Sequence, residues 1–298
     1  MEVVDTIDEL RAGLGPDRSA GRTVGLVPTM GYLHDGHVSL IEAAATHCDV
    51  VVTTIFVNPL QFAAGEDLDA YPRDPEGDAA KAASAGCNWL FGPSEAEMYP
   101  DGRDTVATSV AVPSLSSVME GAARPTHFAG VCTVVAKLFN VVGPCTAYFG
   151  EKDYQQLAII RRMADDLSFP VDVVGCPVVR EPDGLALSSR NAYLTPEERE
   201  VAPVLQAALQ EGAGLIRAGE CDADTVRGRM AEVIAAAPLG ELDYVEVADA
   251  VTLQPVPRAT PDARLFGAVR FGRARLIDNI AAAAAPAPAA AASEGTDR

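Results

Sequence analysis

The stretch Val50 to Val57, Val-Val-Val-Thr-Thr-Ile-Phe-Val, constrains the chain more than any other part of it. Every side chain there is β-branched or aromatic and no polar residue alternates with them, so a strand built from it has no face to give to water. Such a strand belongs inside a parallel sheet covered by helices on both sides. Its surroundings agree: Thr23 to Val27 reads as a strand, a loop runs from Pro28 to Gly36, and the next helix places His37, Leu40, Ile41 and Ala44 on one face. That is a βαβ unit. The pattern recurs, with Asn88 to Phe91 as a strand, Thr133 to Val142 as a helix, Thr146 to Phe149 as a strand and a further helix from near Asp153. The alternation predicts an α/β fold, a doubly wound parallel-sheet (Rossmann-like) N-terminal domain over residues 1–176.

From residue 177 the texture changes. Pro177 to Arg180 and Leu185 to Ser188 flank the turn signal Glu181-Pro182-Asp183-Gly184. Thr195-Pro196-Glu197-Glu198 then reads as a helix start with a capping box, and that helix is expected to run to about Gly219. After a second helix, Tyr244 to Val247, Arg264 to Phe271 and Arg275 to Ile277 alternate as strands, with Gly272-Arg273 as a two-residue hairpin turn. Residues 177–280 are therefore expected to form a smaller α+β C-terminal domain that acts as a lid. The segment 281–298, alanine and proline with a polar end, is expected to be disordered.

The chain has 298 residues, with 23 basic and 42 acidic side chains and a net charge of −19. That balance argues against nucleic acid or an anionic membrane as partner, since both need clustered cations. No apolar run approaches the roughly 20 residues that cross a bilayer. The acidic opening decapeptide lacks the basic flank of a secretory signal and reads as the start of a cytoplasmic protein. The six cysteines contain no CxxC pair and read as reduced thiols, mostly core filler. Lysine occurs three times, at Lys81, Lys137 and Lys152, so any bound polyanion must be met by a few local cations.

Three constellations carry chemistry. The first is Pro28 to His37, in which Met30, Gly31, His34 and His37 lie where a buried strand opens into a helix. Unpaired backbone N–H groups and the positive helix end favour phosphate there, and imidazoles can add donors to the same oxygens. Simple helix capping and a metal pair at helical spacing are the competing readings. The second is Phe149 to Gln156, again strand into helix, with Asp153 as N-cap and Gln156 at the third helical position. Lys152 above that helix start suits phosphate and Asp153 suits a magnesium ion, against the alternative of a solvated charged turn. The third is Leu187-Ser188-Ser189-Arg190-Asn191, two hydroxyls and a guanidinium on a loop able to close over a triphosphate. Arg124 with His127, and Gln61 after the strand Val50 to Val57, are less specific; for Gln61 a structural hydrogen bond weighs as much as substrate binding. His47, near a helix end, reads as a partner of the dipole. The sequence holds no GxxxxGK[ST] loop, no GxGxxG after a strand, no GxSxG and no HExxH, which leaves nucleotidyl transfer by positioned charges.

Taken together, Val27 to His37, Ile55 to Phe62, Arg124 to Gly130, Gly150 to Gln156 and Leu187 to Asn191 resemble the pantothenate synthetase (pantoate:beta-alanine ligase) family, in the right order and over about residues 1–280. The resemblance implies a magnesium-dependent homodimer that condenses pantoate with beta-alanine through a pantoyl adenylate, releasing AMP and pyrophosphate. It assigns ATP to Met30, Gly31, His34, His37, Gly150, Glu151, Lys152, Asp153, Val179, Leu187, Ser188, Ser189 and Arg190. His34, His37, Lys152, Ser188, Ser189 and Arg190 are its catalytic set, with His37 as proton donor. Gln61, Gln156, Arg124 and His127 fall to the pantoate side and Asp153 to the metal. Leu187 stands where the family motif commonly has Met, and the alanine-proline tail has no counterpart. An adenylyltransferase for a phosphorylated acceptor, a zinc hydrolase using His34, His37 and His127, and a noncatalytic nucleotide sensor are the rival readings. All versions of the ATP reading need the three constellations to meet on one triphosphate.

Overall fold

A computed structural model of the chain describes residues 1–63, 65–66 and 68–283. It divides into two compact units, Met1–Val179 and Arg180–Arg298. The first is built on six strands, β1 (Glu2–Val4), β2 (Val24–Thr29), β3 (Val50–Ile55), β4 (Trp89–Phe91), β5 (Cys145–Gly150) and β6 (Val171–Cys176). All neighbouring pairs are parallel, in the order β1-β4-β3-β2-β5-β6. The β3 side chains from Val50 to Thr54 are all buried, as a strand covered on both faces requires. One face is sealed by the helix Asp35–His47, which buries Leu40, Ile41 and Ala44 against Val27, Val51 and Tyr148. The apolar helix His127–Val142 begins six residues before the expected Thr133, because its first six residues, from His127 to Cys132, already bury Phe128, Gly130, Val131 and Cys132.

Strand order decides where a ligand can enter. From β2 the chain proceeds to β3 and β4 on one side, then returns to β5 on the other side of β2, with Gly25 opposite Thr146 and Leu26 opposite Ala147. The carboxyl ends of β2 and β5 therefore flank the point where the order reverses, the usual crevice for ligands in open α/β sheets. Two of the three constellations begin at those two strand ends. Among the described residues no helix is long and apolar enough to cross a membrane.

The second unit is an antiparallel sheet, β7 (Gly240–Asp249), β8 (Ala263–Phe271) and β9 (Ala274–Ala281), packed under the helices Val204–Arg217 and Ala223–Ala235. Gly272, at φ +48°, turns the β8–β9 hairpin with Arg273, as expected. The Thr195 capping box with Glu198 is also present. The helix it starts does not continue to Gly219: it stops at Val201 and a new one begins at Val204. Pro203 lies at the break, where a residue without N–H and with a bulky ring cannot continue the hydrogen-bond ladder. A second correction concerns the tail. Ala281 ends β9, paired with Arg264, and Ala282 is fully buried with its N–H donating to the Ala263 carbonyl (2.8 Å). Alanine is small enough to complete this sheet, which composition cannot reveal. The rest of the expected tail, residues 284–298, lies outside the described residues.

Candidate active site

Past the end of β2 the backbone makes a tight bend, with Gly31 at φ +84° and Tyr32 at φ +52°. The Thr29 hydroxyl ties the strand end down, donating to the Thr54 carbonyl (2.7 Å) and accepting from the Gly31 N–H (3.2 Å). The bend delivers His34 to the N-cap of the helix Asp35–His47. Its Nδ1 accepts from the Gly36 N–H (3.2 Å), while His37 Nδ1 accepts from the His34 N–H (3.3 Å). The two rings thus form a capping box of imidazoles, their centroids 4.0 Å apart. Capping and phosphate binding, which compete in the sequence reading, are compatible here. A neutral ring that accepts at Nδ1 carries its proton on Nε2, so the cap fixes both histidines as Nε2–H donors.

The electrostatics keep them neutral. Burial, reinforced by the nearby Lys152 ammonium, pushes His34 down to about 4. Burial and then its His34 neighbour push His37 down to about 3. Lys152 acts on both rings, so the second constellation, at the end of β5, lies beside the first. There β5 runs through Gly150 into a 3-10 turn, Glu151–Asp153, and then the helix Tyr154–Asp166. Asp153 holds the expected N-cap position, but its side chain makes no cap and Gln156 closes no box. Its carboxylate instead lies 3.5 Å from Lys152 Nζ and is half exposed. That is a donor group of the kind magnesium uses, one carboxylate beside a place for phosphate oxygens. Among the described residues no three His, Cys, Asp or Glu are grouped to hold a metal ion by themselves.

Gln61 sits in the short 3-10 turn Pro59–Gln61 after β3 and is buried. Its amide donates to Met30 Sδ (2.9 Å) and accepts from Asn58 Nδ2 (3.2 Å). Asn58, to which the sequence reading gives no role, is buried too; it donates to the Gly130 carbonyl (3.1 Å) and accepts from the Tyr99 hydroxyl (2.7 Å). His127 Nδ1 lies 2.9 Å from the Gln61 carbonyl, and Arg124 donates to that same oxygen at 3.3 Å. Arg124 is also held in a two-point ion pair with Glu66, whose carboxyl it keeps below the usual range. Met30, Gln61, Arg124 and His127 thus form one connected patch. Gly130 permits it, since a Cβ there would lie 2.1 Å from the Leu60 carbonyl oxygen.

Gln156 is half-buried on the helix Tyr154–Asp166, and its neighbour Gln155 is a structural residue, pinning the segment before Arg124 by donating to the Leu115 and Val118 carbonyls (2.9 Å each). Val179 is the last residue of the first unit and half-buried. The third constellation belongs to the second unit. Leu187 is half-buried there, and Ser188 caps a 3-10 turn, Ser189–Tyr193, its Oγ accepting from the Arg190 N–H (3.3 Å). Of the three stretches, the structure brings the first two together within one unit. His47 fulfils its dipole role, its Nδ1 2.8 Å from the Ala43 carbonyl in the last helical turn.

This arrangement has counterparts. The family model for pantoate-beta-alanine ligase matches residues 2–281. Pantothenate synthetases from Heliobacterium modesticaldum and Pseudomonas fluorescens are each 52% identical over 280 residues, 94% of this chain and 99% and 98% of theirs. Among solved structures, pantothenate synthetase from Thermus thermophilus superposes with a TM-score of 0.89 at 49% identity, covering 95% of this chain and 99% of its own. Pantoate-beta-alanine ligase from Francisella tularensis, solved with beta-gamma ATP and beta-alanine, gives 0.78 at 33% identity over 96% and 100%. A parallel sheet whose reversal point is furnished with a histidine capping box, matched from end to end at this level, makes the chain a member of the pantoate-beta-alanine ligase family.

Proposed function

We propose that the protein condenses pantoate with beta-alanine in two steps, with ATP as activating co-substrate. A free carboxylate has no leaving group for an amine to displace. In the first step a carboxylate oxygen of pantoate attacks the α-phosphorus of ATP in line; the new O–P bond forms as the bond to the β-phosphate bridge breaks, and pyrophosphate departs. In the second, the neutral amine of beta-alanine attacks the activated carbonyl carbon. The C–N bond forms, the bond to the AMP oxygen breaks, and the amine loses a proton.

The observation that supports this most is the pair of neutral imidazoles locked as Nε2–H donors beside Lys152. Donors aimed at phosphate oxygens lower the barrier as charge grows on them in the transition state. His37, half-buried and neutral, serves as such a donor, and Lys152 supplies the fixed positive charge. Met30, Gly31 and Gly150 to Asp153 line the ATP side, Val179 takes the adenine, and Leu187, Ser188, Ser189 and Arg190 the triphosphate. Gln61 and Gln156 hold pantoate, with Arg124 and His127 fixing Gln61 from behind. Asp153 fits magnesium, which would neutralise charge on the phosphates. We also assign the protein to the cytoplasm and, from the family resemblance, to a homodimer, with residues 1–176 as nucleotide- and pantoate-binding domain and 177–280 as lid.

The test is isotope exchange. Protein, magnesium, ATP and pantoate, without beta-alanine, should move labelled pyrophosphate into ATP, and omission of pantoate should stop it. Exchange that ignores pantoate, or none at all, rejects the adenylate route. A stable adenylylated product that forms without any amine would mark an adenylyltransferase instead.

A further inference from the structure

Asp78 is a carboxylate with 1% of its surface exposed, on the helix Pro75–Ser84, and no sequence motif draws attention to it. A buried charge needs dedicated donors. Its donors are two successive backbone groups of the bend after β2: the Tyr32 N–H reaches Oδ2 at 2.8 Å and the Leu33 N–H reaches Oδ1 at 2.6 Å. Three residues further along the same helix, Lys81 Nζ donates to the Leu33 carbonyl at 2.6 Å. One helix thus grips the bend at two N–H groups and a carbonyl. What it grips is strained, because Tyr32 is a bulky residue at φ +52°, where side chains other than glycine are disfavoured and need surrounding structure to hold them. Just beyond Leu33 comes His34, the N-cap from which both imidazoles are oriented.

We propose that Asp78, assisted by Lys81, is a positioning residue that holds Tyr32 in its left-handed conformation and so sets the direction in which His34 and His37 present Nε2–H. The inference rests on the ligase reading for its kinetic consequence, but not for its structural one. Asp78 touches no reacting atom. Its effect passes through the bend, and a glycine at position 32 would adopt the same conformation without being held.

Asp78→Asn offers a single acceptor oxygen and turns an NH2 towards one of the two donors. At unchanged circular dichroism it should lower kcat for pantoate-dependent pyrophosphate exchange at least tenfold, with KM for pantoate within twofold. Adding Tyr32→Gly should restore at least threefold of that loss, which mere repair of helix packing would not do. Nitrogen-15 spectra of the imidazoles should show Nε2–H on both rings in the native protein and a mixed state for His34 in Asp78→Asn. Native kcat and native ring tautomers in Asp78→Asn would overturn the proposal, as would a folded Asp78→Asn that Tyr32→Gly fails to improve. Should Asp78→Asn not fold, Lys81→Met carries the test: a severalfold loss of kcat is expected, and native exchange refutes the clamp. If the native protein exchanges no pyrophosphate, the ligase reading falls while the ring tautomers still decide this one.

Discussion

Three of the four histidines are held neutral by burial, and the sign of their effect on stability can be worked out. Folded, His34, His37 and His127 take up a proton near 4, 3 and 4, whereas an unfolded imidazole does so near its ordinary 6.5. Above about pH 6.5 the rings are uncharged in both states and their contribution is fully present. As pH falls from there towards 4, the unfolded chain binds protons that the folded one does not, and stability is lost. Urea unfolding should therefore show a lower midpoint at pH 5.5 than at pH 7, before the carboxylates titrate, and little change between pH 7 and 8. His37→Gln should reduce the drop, and equal midpoints at pH 7 and 5.5 would contradict the neutral, half-buried rings.

Between elements, the helix His127–Val142 approaches the turn carrying Gln61 closely enough that a Cβ at position 130 would overlap it. In Gly130→Ala the added carbon would meet the Leu60 carbonyl and the Gln61 N–H, both main-chain groups with little room to yield. Overpacking of this kind costs about 1 to 3 kcal/mol. Thermal melting should show that loss, together with a raised KM for pantoate, because the displaced residue is Gln61, which we propose holds that substrate. A native melting temperature would mean that the helix can shift without penalty. At this scale the sequence is legible wherever a signal is local. The continuous apolar run of β3, the Thr195 capping box and the Gly272-Arg273 turn all announce themselves within a few residues. Pro203 is a local signal too, but the helical pattern on both sides of it masks the break. What escapes reading is long-range: Asp78 meets Tyr32 across 46 positions, and Asn58 joins Tyr99 and Gly130 only once the sheet is assembled. Arg124 and His127 look like substrate ligands in a linear motif, and only the fold reveals that they hold a backbone carbonyl and a glutamate.

For the molecule as a whole, two separate cores imply that damage can be confined to one of them. The second unit contains a part-buried two-point ion pair, in which Arg180 donates to both carboxylate oxygens of Asp278 at 2.6 and 2.9 Å, with Asp278 almost fully enclosed. Removing Asp278 leaves Arg180 uncompensated, at up to about 3 kcal/mol because its side chain keeps some access to water. Asp278→Ala should lower the unfolding midpoint followed through the second unit, whereas a probe at Trp89, the single tryptophan and part of β4, should report a smaller change. Identical shifts by both probes would mean that the units unfold as one. The histidine capping box has a different reach. Because the same rings fasten a helix and, as we propose, furnish the chemistry beside it, a lineage that abandoned turnover would still have reason to inherit them, and survival of the pair in a silent cousin is no testimony that the cousin reacts.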